Sequence, residues 1–174
     1  DAAVLAGIGR MLHGLVDQGA STIVCTCSTL GPTAERLGRE HGLAVVRVDR
    51  PMAERAIDTG RHIAVIAALD STIAPTTDLL TEVARARGAE VTIDVYLVDG
   101  AWAHFEAGDL AAYHRAIADA AIEAMAVSAP GGDPVDVVVL AQASMAPAAD
   151  LVRGIPVLVS PATMVESILA GPHL

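Results

Sequence analysis

Lysine and asparagine are absent from the 174 residues, so all 11 Lys-or-Arg cations are arginine. Against them stand 21 acids, for a net charge of −10 and a pI near 4.8. A chain this acidic lacks the basic face that a general binder of nucleic-acid backbone needs. No run of 18 or more apolar residues occurs, which excludes a simple membrane span despite a mean hydropathy of +0.50. Aromatic residues make up only 2%. The two cysteines, Cys25 and Cys27, have one residue between them. That spacing suits neither a structural disulfide nor a complete zinc site, and it points to a reducing, cytoplasmic setting. The chain opens on Asp1 with no initiator Met and no signal peptide, so Asp1 is read as an internal start.

What the chain has in quantity is apolar residue, 53% of the whole, enough to exclude disorder. Short Val- and Ile-rich runs alternate with longer Ala-rich segments of helical period. The runs predict strands at Thr22–Cys27, Ala44–Val48, His62–Leu69, Val91–Val98, Val135–Ala141 and Pro156–Ser160. Helices are expected near 2–18, 32–41, 51–59, 75–87, 108–127, 147–152 and 161–170. Pro32, Pro51, Pro75, Pro147 and Pro161 each stand near an expected helix start, where the missing N–H costs nothing. Strands without polar alternation, separated by helices, describe parallel sheets covered on both faces. The fold class is α/β.

The chain also repeats itself. Residues 22–34 (TIVCTCSTLGPTA) align with 137–149 (VVVLAQASMAPAA) at an offset of 115, pairing Cys27 with Gln142, Thr29 with Ser144 and Pro32 with Pro147. Residues 52–57 (MAERAI) align with 164–169 (MVESIL) at an offset of 112. Chance likeness between Ala/Val-rich segments is the alternative to duplication, but the matched Pro and hydroxyl positions favour two related units. The second unit has a strand–helix–strand ahead of its long helix, whereas the first has none. Complete symmetry would place a further segment of roughly 55 residues before Asp1. The lobes are expected at 1–51 plus 155–174, and at 52–154.

Ligands of parallel sheets lie beyond the carboxyl ends of the strands. There the sequence offers Cys27-Ser28-Thr29, Gln142-Ala143-Ser144, the turn from Ala68 to Thr72, the stretch from Asp99 to His104, and Ser160. A hydroxyl-rich turn that opens a helix presents N–H groups and a positive dipole end, which suits a small carboxylate. At such a place Cys27 is expected to carry a thiol of lowered pKa; as an alternative it is a small buried hydrophobe, the reading that fits Cys25. His104 follows a strand end and reads as a second base or as a solvated loop residue. Asp70, Asp99 and Glu106 read as caps or surface acids. All four aromatics, Tyr96, Trp102, Phe105 and Tyr113, fall within 18 positions, either as a lid or contact surface or as filler between the long helix and its sheet. The histidines show no metal-ligand spacing, and no phosphate-binding glycine motif or nucleophile elbow occurs.

TIVCTCSTLGPTAE, VDVVVLAQASMAPAADL and IPVLVSPATMVESIL resemble the aspartate/glutamate racemase superfamily, which includes hydantoin racemases, maleate isomerases and arylmalonate decarboxylases. HIAVIAALDSTIAPTTDLL is similar to that family's Thr-bearing turn. The resemblance spans nearly the whole chain. It implies two pseudosymmetric α/β lobes, each a parallel sheet flanked by helices, and proton transfer without a cofactor at a carbon beside a carboxylate. Relatives of this kind are often homo-oligomers. Cys27 resembles the first catalytic cysteine, with Ser28 and Thr29 in the Asn-Thr places that follow it. Thr72 resembles a hydroxyl that holds the substrate carboxylate, and Ala143, Ser144 and Ser160 line the same site. The second cysteine's place holds Gln142, which cannot take a proton from carbon or return one but can donate a hydrogen bond. Racemase, single-thiol decarboxylase or isomerase, and non-catalytic carboxylate binder are therefore the three functions the sequence leaves standing.

Overall fold

In a computed structural model, residues 2–126 and 133–171 are described. Asp1, position 127 at the end of the expected 108–127 helix, and 172–174 at the end of the first-lobe assignment lie outside these residues. The elements run α1 (Ala2–Asp17), β1 (Ile23–Cys25), α2 (Gly31–His41), β2 (Val45–Arg47), α3 (Arg50–Thr59), β3 (His62–Ala67) and α4 (Ile73–Ala86). Then come β4 (Thr92–Leu97), α5 (Ala101–Glu106), α6 (Leu110–Ala126), β5 (Val137–Leu140), β6 (Val157–Val159) and α7 (Ser160–Ala170). Short 3₁₀ helices at Asp70–Thr72 and Ala143–Leu151 follow β3 and β5.

The strands form two parallel sheets, β1-β2 and β4-β3-β5-β6. The larger sheet is covered on both faces because its two central strands are apolar at every position after His62. Ile63, Val65, Val137 and Val139 face α3 and α4. Ala64, Ile66, Val138 and Leu140 face α6 and the 143–151 segment. Each such Val or Ile, fully buried, contributes about 1.5–3 kcal/mol of hydrophobic stabilisation. The smaller sheet rests on a far smaller core of Leu12, Ile23 and Leu37.

The repeat is present in the hydrogen-bond register. Ile23, Val24 and Cys25 pair with Val45, Val46 and Arg47. Val138, Val139 and Leu140 pair with Val157, Leu158 and Val159. Offsets of 115 and 112 convert the first register into the second, residue for residue. Even the flanking bonds correspond, Ile23 N–H to the Ala44 carbonyl and Val138 N–H to that of Pro156.

Several expectations change. The strand expected at 156–160 belongs to the larger sheet, hydrogen-bonded to β5, and not to the lobe of residues 1–51. The register explains why: β6 is the repeat equivalent of β2, so each stays with its own unit. The single helix expected at 108–127 is preceded by a separate one, α5. Gly108, at φ 76°, turns the chain between them, a conformation that glycine adopts without strain. Residues 143–151 form a 3₁₀ helix with Pro147 inside it, where an α-helix starting at 147 was expected. Pro32, Pro51 and Pro161 do stand in the first turns of α2, α3 and α7. Pro75 lies one position deeper, because α4 begins at Ile73.

A buried ion network joins the small sheet to the rest. Arg47, at the end of β2, grips Asp49 with a two-pronged contact at 2.8 and 2.7 Å, and both side chains are almost fully buried. Its Nη2 also donates to the Pro75 carbonyl at 2.9 Å, in the first turn of α4. Glu35 on α2 accepts from the Arg47 backbone N–H at 3.0 Å and from Arg50 Nε at 2.7 Å. Burial works against the Glu35 carboxylate, yet the Arg50 hydrogen bond, the Arg47 amide and the two guanidinium charges hold its pKa below the ordinary value. Gly31 lies so close that an added Cβ would come within 2.8 Å of Arg47 Cγ.

Two outcomes follow for stability. Arg47→Met leaves Asp49 buried without its cation and should cost about 3–5 kcal/mol in urea unfolding; a loss under about 1 kcal/mol would mean that the pair is incidental. Because the folded pKa of Glu35 is depressed, its contribution is present above the unfolded pKa of about 4.3 and disappears as pH falls through the folded value. The stability gap between wild type and Glu35→Gln should therefore narrow as the pH is lowered below about 4.

Candidate active site

β1 ends at Cys25, so Cys27 lies two residues beyond the strand, in the turn that opens α2. The Cys27 carbonyl accepts the Gly31 N–H at 2.8 Å, which anchors the turn to the first residue of the helix. Cys25 is half-buried and Cys27 is exposed; both are free. The Cys25 thiol donates to the Cys27 carbonyl at 3.6 Å, so it serves the turn from beneath. Ser28 is half-buried and Thr29 is exposed on the same turn. Arg47 holds this turn in place twice, through the strand pairing with Cys25 and through its packing under Gly31.

In the larger sheet, Gln142 closes the gap between two strand ends. Its Oε1 accepts the N–H of Ala68, just past β3, at 2.7 Å. Its Nε2 is buried and has no hydrogen-bond partner among the described residues. Ala143 is exposed and offers only backbone to a ligand. Ser144 is turned the other way: its Oγ lies 2.9 Å from the Tyr113 hydroxyl, and its carbonyl lies 3.1 Å from His114 Nε2. Burial raises the Tyr113 pKa, and the Ser144 hydrogen bond lowers it only in part, so the phenol stays protonated at neutral pH. The Ser144 hydroxyl is thus held from the side of α6.

Thr72 is buried and its hydroxyl donates to the Leu69 carbonyl at 2.8 Å, leaving lone pairs but no free proton. Ser160 is buried at the start of α7, where its carbonyl accepts the Thr163 hydroxyl at 3.2 Å. Asp70, Asp99, His104 and Glu106 are all exposed. His104 sits on α5 and not in a loop. Among the described residues, no three His, Cys, Asp or Glu side chains gather as a metal-holding group. Among the same residues, no helix is long and apolar enough to cross a membrane.

A direct contact ties the end of β3 to the turn after β5 through Gln142, and Arg47 ties the end of β2 to the first turn of α4 through the Pro75 carbonyl. Arg47, Tyr113 and His114 hold these turns, and none was singled out for that part by sequence. Arginine in a strand reads as an exposed edge, and the Ser144 contacts join residues about 30 positions apart. The aromatics prove to be filler: Trp102 stacks on Phe105 at 4.6 Å, Phe105 meets Tyr113 at 5.3 Å, and all pack beneath the sheet with α6. Shallow surface hollows along α1 and α2, and between α6 and the 143–151 segment, lie away from the strand ends.

No protein-family model matches the chain, and no curated protein does. Solved structures match over nearly its whole length. A glutamate racemase isoform from Bacillus anthracis superposes with a TM-score of 0.62 at 16% identity, covering 95% of this chain and 65% of that one. An arylmalonate decarboxylase mutant in a sulfate-associated form gives 0.61 at 18%, covering 99% and 76%. Allantoin racemase from Klebsiella pneumoniae gives 0.63 at 19%, covering 97% and 66%. The chain has the fold of these proteins, two parallel sheets flanked by helices, as its resemblance to their superfamily implied. It spans about 65% of the length of the glutamate racemase.

The different exposure of the two thiols gives a direct check. In an iodoacetamide time course read by fragment mass spectrometry, Cys27 should be alkylated well before Cys25. Equal or faster labelling of Cys25 would contradict this placement of the turn.

Proposed function

We propose that the protein is a cofactor-independent enzyme of racemase type, moving a proton at the carbon alpha to the carboxylate of a small acid or amino acid. The observation that carries this reading is the matched register. It makes the Cys27 turn and the Gln142 turn equivalent places in two copies of one structural unit, at the end of the strand where this fold's ligands are expected. Only one of the two equivalents holds an ionisable group. Cys27, exposed at its turn, is the thiol we assign to proton transfer. As thiolate it takes the alpha proton: the C–H bond breaks, the S–H bond forms, and the electron pair moves into the adjoining carboxyl group as an enediolate. The thiol then exchanges with solvent and returns a proton to the carbon, which completes an exchange cycle on one face; inversion would need delivery from the opposite face.

Ser28 and Thr29 would meet the substrate carboxylate on the Cys27 side, with Gln142 and the backbone around Ala143 on the other. Thr72, its hydroxyl proton already given to Leu69, would support the turn more than bind. Ser144, held by Tyr113, would do the same. Ser160 would contribute where α7 begins. A single thiol favours chemistry from one face, so a decarboxylase or isomerase is the second reading, supported by the match to arylmalonate decarboxylase. The two free cysteines fit a reducing, cytoplasmic setting, and the exposed Val165, Ile168 and Leu169 on α7 would serve a homo-oligomer.

Incubation with small carboxylic and amino acids in deuterium oxide tests the reading. Alpha-proton exchange should appear for at least one of them, and Cys27→Ala should slow it about a hundred- to ten-thousand-fold while the fold persists by circular dichroism. Exchange undiminished in Cys27→Ala, or no exchange or decarboxylation of any candidate, would overturn the assignment.

A further inference from the structure

We propose that Gln142 is a locked hydrogen-bond donor that takes an anionic ligand oxygen, so this residue recognises charge and never carries a proton. This deepens the function proposed above and rests on it for the identity of the site. The orientation of a Gln amide is normally ambiguous, because its oxygen and nitrogen look alike. Here the partner decides it. Ala68 presents an N–H at 2.7 Å, which only the oxygen can accept. The reversed amide would oppose two donors. The NH₂ end is therefore committed to the other side, where Nε2 is buried and unpartnered among the described residues.

A buried donor without an acceptor is costly, and native structures seldom keep one. The turn is not free to relax toward an acceptor of its own. Tyr113 and His114 hold Ser144 from α6 by both its hydroxyl and its carbonyl. The Ala68 bond also polarises the amide and strengthens the donor at its far end. What completes such a site is an acceptor with no proton to offer: a carboxylate or an enolate oxygen. A hydroxyl or water can also accept, but neither gains the charge-assisted strength of an anion. No step that needs a base can be run from Gln142, because a primary amide does not accept a proton near neutral pH.

The test uses nitrogen-resolved NMR of the Gln142 side chain in the full chain, with acetate, malonate and glutamate as probes at constant ionic strength. The Nε2 protons should move downfield and saturate with at least one probe. Gln142→Glu keeps an acceptor for Ala68 but replaces the donor with a negative oxygen, and it should weaken that probe about ten- to a hundredfold. Gln142→Met, of similar length, removes the donor without adding charge and should weaken it as well; because it also gives up the Ala68 bond, circular dichroism must show that the fold persists. Three outcomes would overturn the proposal: Nε2 protons that no probe moves, a persistent cross-peak from Nε2 to a bound water that no probe displaces, or unchanged affinity in either variant. A carboxylate response at Nε2 without any alpha-proton exchange would refute the catalytic reading and leave the ligand class intact. Exchange that survives with a silent Nε2 would do the reverse.

Discussion

The Arg47–Asp49 pair is the contact on which the rest of the architecture turns. β1 and β2 have only three residues each and share a core of a few side chains. Such a sheet has little apolar area with which to hold itself against the rest of the molecule. The buried guanidinium supplies what the core does not. It reaches Asp49 within its own connection, Pro75 at the head of α4, and, through its backbone, Glu35 on α2. Buried ion pairs contribute little net stability against an apolar replacement, but they tolerate no partial loss and so fix geometry. The geometry fixed here is that of the Cys27 turn, which lies over the same arginine by way of Gly31.

Two copies of one unit with one thiol between them make a symmetrical frame for an unsymmetrical task. The register of β1 on β2 and of β5 on β6 is the same, yet the residues delivered are opposite in kind. One turn ends on a soft, ionisable sulfur that faces solvent. The other ends on an amide whose acceptor is occupied and whose donor is spare. At the equivalents of Thr29 and Arg47, the second unit has Ser144 bound to Tyr113 and Val159 in the sheet. The frame is repeated and the chemistry is divided.

Much of this was legible before any coordinates. Central strands buried on both faces have no polar alternation, so His62–Leu69 and Val135–Ala141 stood out as strands, and prolines at helix starts marked α2, α3 and α7. The repeat survived because strand-end turns and prolines constrain residue type more than surface positions do. What stayed hidden was decided by long-range contacts. The lobe of β6 depends on which strand it bonds, and apolar content cannot say that. The short helix α5 lies in the stretch after β4 that reads as a strand-end turn, and Gly108 separates it from α6. Arg47 gives no local signal of burial, because its partners on α2 and α4 lie 12 and 28 positions away. Ser144 carried the residue type of a ligand-binding turn, but Tyr113 claimed its hydroxyl. At the site, residue type identified Cys27 and Gln142, and only geometry showed that the amide of Gln142 has a single available direction.

The central claim is that the Cys27 turn and the Gln142 turn are two sides of one carboxylate site. A crystal structure of the protein soaked with a small carboxylate measures this most directly. The claim predicts density for the carboxylate between the two turns, with an oxygen within hydrogen-bond distance of Gln142 Nε2 and the alpha carbon facing Cys27 Sγ. A carboxylate bound elsewhere, with both turns unoccupied at saturation, would contradict it.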